Sequence, residues 1–191
     1  HELFLAHMRT HGDRDRFEDF DHPFFYRDEI RYKHRVHEAA EKELQLDEWP
    51  RWSPGQGRIL AATIAACRAT GSKNNLLEHR WGAKGASYCA LLRVEEREKV
   101  RGLEEELRHL MTGRTDSGPS FGRRFDRFAD YLRDNSLGCK WPFVAYLCFL
   151  LRPEVYFPVM PGAAQRIVGY YGAEFRFAGR VEWDRYRLLL E

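Results

Sequence analysis

Apolar residues recur at helical spacing through most of the chain. Phe121, Phe125, Phe128 and Leu132 fall on one face of a segment whose remaining positions include Arg123, Arg124, Arg127 and Asp130. Val100, Leu103, Leu107 and Leu110 draw a second stripe, with Glu95, Glu96, Glu104, Glu105 and Arg108 on the opposite, solvated arc, the pattern of an amphipathic helix. A charged helix is expected from Asp28 to Leu46, with Ile30, His37, Ala40 and Leu44 on one side. The run Phe143 to Leu151 is apolar on every face, so a helix there requires neighbours all round.

Punctuation residues bound these elements. Ser53-Pro54-Gly55-Gln56 reads as a capping box, with Ser53 as N-cap and Pro54 at the first helical position. Ile59, Leu60, Ile64 and Cys67 then carry that helix to Gly71. Asn74 is placed to cap a short helix from Asn75 to Trp81, closed by Gly82. Pro142 opens the buried helix, Pro161 opens a helix over Gly162 to Tyr171, and a last helix is expected over Trp183 to Leu190. No apolar/polar alternation runs longer than four residues, so strands are not expected. The predicted fold is all-α, a compact helical bundle of about eight to nine helices. Only Arg114 to Ser120 (RTDSGPS) has loop composition. It divides the chain into an N-terminal lobe, 1–113, and a C-terminal lobe, 114–191, arranged around a cleft or merged in one domain.

Composition narrows the class without choosing a partner. The 191 residues are 43% hydrophobic and 31% charged, a folded, water-soluble balance. Thirty-one Lys+Arg against 29 Asp+Glu give a formal charge of +2, so any nucleic-acid site must come from where the arginines lie. The longest apolar run, Phe143 to Leu151, is far short of the ~20 residues that span a bilayer, and His1-Glu2-Leu3-Phe4-Leu5 is too short to serve as a signal peptide. Cys67, Cys89, Cys139 and Cys148 show no CxxC spacing and suit free thiols in a reducing compartment. A cytoplasmic location with no membrane partner is expected. The Leu188-Leu189-Leu190 run at the end reads as a truncated helix.

The segment Gly138-Cys139-Lys140-Trp141-Pro142-Phe143 carries the most chemical information. Lys140 sits at the positive dipole end of the buried helix, beside two aromatic residues. Both influences favour the neutral amine, the form that acts as a nucleophile. The alternative is an ammonium that snorkels to water. From Leu137 to Gly172 the chain reads LGCKWPFVAYLCFLLRPEVYFPVMPGAAQRIVGYYG, which resembles the second half of the helix-hairpin-helix DNA glycosylases. Gly138-Cys139-Lys140 matches that family's Gly-x-Lys step, and Pro158-Val159-Met160 with Gln165-Arg166-Ile167-Val168 matches its next helix opening. Two departures stand out. Met160 occupies the family's aspartate position, and Asn135-Ser136-Leu137-Gly138 replaces its glycine-rich hairpin.

The resemblance implies an all-helical enzyme that flips a damaged or modified base from duplex DNA and cleaves its N-glycosidic bond, with Lys140 as nucleophile or cationic element. The carboxylate would come from Glu154 or Asp184, with Asp134 as a further candidate. Such an enzyme needs cations for phosphates and an aromatic pocket for the base. Arg123, Arg124 and Arg127 on one helix face, with Arg152 and Arg166 downstream, are candidates for the first. Trp141 and Asn75 are candidates for the second. A hypermodified substrate base would imply defence against phage DNA. The competing expectation is a non-catalytic helical module that binds DNA or a protein through the same arginine face.

No organic or nucleotide cofactor is expected, since no Walker loop or GxGxxG follows a strand. His34 and His37 lie three apart with Glu38 adjacent. Without an HExxH or paired Cys/His unit, no metal site is expected either.

Overall fold

The computed structural model describes Tyr26 and residues 30–70, 76–77, 88–113, 119–170 and 180–190. Those residues are all-α, with no strand among them. Helix α1 spans Arg31–Leu44, α2 Arg58–Arg68, α3 Arg97–Thr112, α4 Pro119–Asp134, α5 Trp141–Leu151, α6 Pro161–Tyr170 and α7 Trp183–Leu190. Short 3-10 segments, Leu46–Arg51 and Leu91–Arg93, join some of them. The expected helix from Asn75 to Trp81 lies outside the described residues except for Leu76 and Leu77, which form a turn.

The apolar stripes face inward as their spacing requires. Phe121, Phe125, Phe128 and Leu132 of α4 are fully buried, as are Leu103, Leu107 and Leu110 of α3. Helix α5 is buried from Trp141 to Leu150. Helices α1 and α2 pack together, α3 packs on α4 and joins α2, and α5 touches both α1 and α3. Buried residues on either side of residue 114 form one apolar cluster. Among the described residues no helix is long and apolar enough to cross a membrane. None of the four cysteines forms a disulfide, and Cys67, Cys89 and Cys148 are buried.

Several boundaries differ from the sequence expectation. Helix α1 stops at Leu44 because Gln45 turns left-handed, with φ +51°, and its N–H closes on the Glu41 carbonyl at 3.1 Å. Trp49 then tucks beneath the helix end, donating its indole N–H to the Leu44 carbonyl at 2.6 Å. Helix α4 already begins at Pro119, inside the expected loop.

Ser53 does not cap α2. Gly57 is its N-cap, with φ +76°, and the cap oxygens come from another helix. The fully buried Glu104 of α3 accepts Gly55 N–H at 2.6 Å, Gly57 N–H at 3.2 Å and Leu60 N–H at 3.0 Å. Glu104 therefore leaves the solvated arc assigned to it. Glu106 of the same helix is buried as well. Both carboxylates are tolerated because each is engaged by several donors.

Candidate functional site

The turn between α4 and α5 is the local structure that positions Lys140. Helix α4 closes with Ser136 N–H on the Arg133 carbonyl at 3.0 Å and Leu137 N–H on the Leu132 carbonyl at 2.7 Å. That is a Schellman-type stop, with Ser136 left-handed at φ +57° and Leu137 buried against the core. Gly138 follows at φ +71°, a conformation glycine adopts without cost. The chain then extends through Lys140 (φ −129°, ψ 146°), which is the N-cap of α5. Its carbonyl accepts Val144 N–H at 3.2 Å.

Lys140 is exposed. The two aromatic residues expected beside its amine, Trp141 and Phe143, turn into the core. Trp141 is 5% exposed and packs with ring centroids 6.5 Å from Phe125 and 6.2 Å from Tyr186. It is a core residue rather than the wall of a base pocket. Asn75, the other base-pocket candidate, lies outside the described residues.

Of the carboxylate candidates, Glu154 is placed at the opposite end of α5 from Lys140. Glu154 follows the C-terminal end of α5, whose 11 residues separate it from Lys140 by roughly 16 Å of helix at about 1.5 Å per residue. Its Oε1 accepts from Arg152 Nε at 2.9 Å on the surface. The Arg152 guanidinium holds its carboxyl below the usual carboxylate range, the wrong direction for a proton donor. Asp184 is exposed in the first turn of α7, and Asp134 is exposed at the end of α4. Met160 is half-buried.

The arginine face is also divided. Arg123 is exposed, whereas Arg124, one residue and about 100° further round the helix, is 9% exposed. Its Nη1 donates to the His109 carbonyl at 3.3 Å, and its guanidinium lies 5.4 Å over the Phe121 ring. Arg127 grips Glu106 with Nε–Oε2 at 2.8 Å and Nη2–Oε1 at 2.6 Å. Its charge is thereby compensated within the protein. Arg166 is exposed on α6. Of the five expected DNA contacts, Arg152 pairs with Glu154 at 2.9 Å, and Arg123 and Arg166 are exposed to a ligand.

One acid not singled out in the sequence is locally active in the fold. Asp126 of α4 accepts Trp183 N–H at 2.7 Å, and burial raises its carboxyl above the usual range, partly offset by that bond. It anchors the start of α7, a pairing 57 residues apart that no local spacing could reveal. Among the described residues no group of three or more His, Cys, Asp or Glu side chains forms a metal site.

No protein-family model matches the chain, and neither the curated proteins nor the solved structures compared with it give a match.

Proposed function

We propose that the chain is a helical module that binds duplex DNA through the α4–turn–α5 unit, with Lys140 at its tip. The observation that supports this reading is the exposed Lys140 at the head of a helix buried on all sides. A cation at a helix N-terminus works against the helix dipole by about 0.3–1 kcal/mol, and a rigid turn presents it to solvent. Arg123 and Arg166 add exposed positive charge in the same half of the chain. Phosphate contacts of this kind supply affinity without reading sequence.

The catalytic form of the same reading is a DNA glycosylase that flips and excises a damaged or modified base, as in a cytoplasmic defence against modified phage DNA. It would use Lys140 as the nucleophile and require a cleft between residues 1–113 and 114–191. The exposed amine at the glycosylase-like Gly138-Cys139-Lys140 step favours it. The placement of Glu154 at the far end of α5 and Met160 at the family's aspartate position rank it second.

Both readings are tested on labelled duplex DNA, unmodified and carrying modified bases. Binding by anisotropy that weakens at least tenfold in Lys140→Glu supports the module, and unchanged affinity in that variant removes it. Borohydride trapping of a covalent adduct, abolished in Lys140→Ala, would raise the glycosylase above it. A lack of both adduct and abasic sites on every substrate would leave binding alone.

A further inference from the structure

The loop of residues 53–56 and the opening turns of α3 enclose a cleft of about 530 Å³. Arg97, Glu98, Arg101 and Glu105 form its α3 wall, and Ser53 and Gln56 give the loop wall a hydroxyl and an amide. The two walls are fixed to each other. Glu104 holds Gly55 N–H at 2.6 Å and Gly57 N–H at 3.2 Å. Gly55 lies so close to α3 that a methyl group on it would stand 3.3 Å from Arg101 Cβ. The cleft is therefore preformed, and its volume falls in the roughly 300–1,000 Å³ range of small-molecule sites.

One pair of charges in the cleft is already satisfied, since Arg101 Nε donates to Glu105 Oε1 at 3.0 Å. Arg97 and Glu98 have no ion-pair partner among the described residues. They are consecutive on α3, and adjacent helical positions point apart rather than toward each other. The cleft thus presents one open guanidinium and one open carboxylate that do not neutralise each other. Such a site prefers neither a simple anion nor a simple cation. It suits a ligand carrying both charges at separate ends, with hydrogen-bonding groups between them for Ser53 and Gln56. A free amino acid holds both charges on one carbon, whereas a dipeptide holds them one peptide unit apart.

We propose that this cleft binds a zwitterionic dipeptide, its C-terminal carboxylate on Arg97, its N-terminal ammonium on Glu98 and its peptide group hydrogen-bonded to Ser53 and Gln56. The guanidinium fork matches a carboxylate in two parallel hydrogen bonds. The site shares no residue with the α4–turn–α5 unit, and the proposal stands whether or not the chain binds DNA.

Alanyl-glutamine is the probe, titrated calorimetrically into the full chain beside its N-acetylated and its C-amidated forms. Saturable binding of the free dipeptide is expected. Each blocked form should bind at least tenfold more weakly, the loss expected for one hydrogen bond to a charged group. Arg97→Ala should no longer distinguish the dipeptide from its amide, and Glu98→Ala should no longer distinguish it from the N-acetyl form. A merely structural role for either residue would not exchange these preferences. Binding that never saturates, or blocked forms that bind as well as the dipeptide, would overturn the site. A variant that discriminates as the parent does would overturn it equally. Both residues are exposed, and should either variant still fail to fold, the comparison of the three ligands on the parent decides.

Discussion

Glu104 of α3 accepts the N–H of Leu60, 44 residues earlier in the chain, at 3.0 Å. With Gly55 and Gly57 on its other oxygen, this one carboxylate satisfies three backbone donors at the start of α2. It fastens α2 to α3 more specifically than apolar packing alone can, since hydrogen bonds to a charged acceptor are directional. Replacing Glu104 with Ala strands those donors, so a loss of about 2–4 kcal/mol is expected in urea unfolding. Glu104→Gln keeps one acceptor oxygen and should recover part of that loss. A Glu104→Ala protein within about 0.5 kcal/mol of the parent, the range of an ordinary surface change, would contradict this role.

Salt dependence separates the arginines of α4. Removing one cation that touches a phosphate should flatten the log–log salt slope by about 0.9 on duplex DNA. Arg123→Ala together with Lys140→Ala should flatten it by about 1.8 in total without changing the melting temperature. Arg127→Ala should leave the slope nearly unchanged, because Glu106 already holds that guanidinium. Arg124→Ala should instead lower stability by about 1–2 kcal/mol, because it removes a buried donor from the end of α3. A slope insensitive to Arg123 and Lys140 would exclude this face as the DNA surface.

Asp126 makes a pH prediction of definite sign. Its folded-state pKa is raised, chiefly by burial, so the native protein holds this proton more tightly than the unfolded chain. Its favourable contribution is complete below the unfolded carboxylate pKa and is lost as pH rises through the higher folded value. Asp126→Asn keeps an acceptor for Trp183 N–H without the charge. The variant should be at least as stable as the parent at pH 7, and the gap should close on acidification through the carboxylate range. A variant whose advantage grows as pH falls would show the sign to be reversed.

Gly122 tests the packing of α7 on α4. A methyl group there would lie 2.3 Å from Trp183 Cδ1, inside any allowed approach. The Trp183 ring is 7% exposed and stands against Phe121 with centroids at 5.2 Å, so it has little room to retreat. Gly122→Ala should cost about 1–3 kcal/mol by overpacking, despite the higher helix propensity of alanine. A stabilised variant in thermal unfolding would show that α7 yields instead.

The all-helical fold, the inward stripes of α3 and α4, the burial of α5 and the bounds of α7 follow from the sequence alone. They depend on side-chain period and on proline and glycine punctuation, which are local properties of the chain. Which polar residues are buried does not follow in the same way. Glu104, Glu106 and Arg124 sit on the polar arcs of α3 and α4, and each is enclosed only because a neighbouring element crosses that arc. The same holds for Trp141: a short sequence cannot distinguish an aromatic wall of a pocket from a core ring, since both are apolar and only packing partners differ. Lys140 is legible in the sequence as the cation at the head of α5. Its exposure, and the distance of Glu154 at the far end of that helix, are decided by tertiary structure. A carboxylate reaches an amine through space, and the spacing of the two in sequence does not fix where the intervening helix points them.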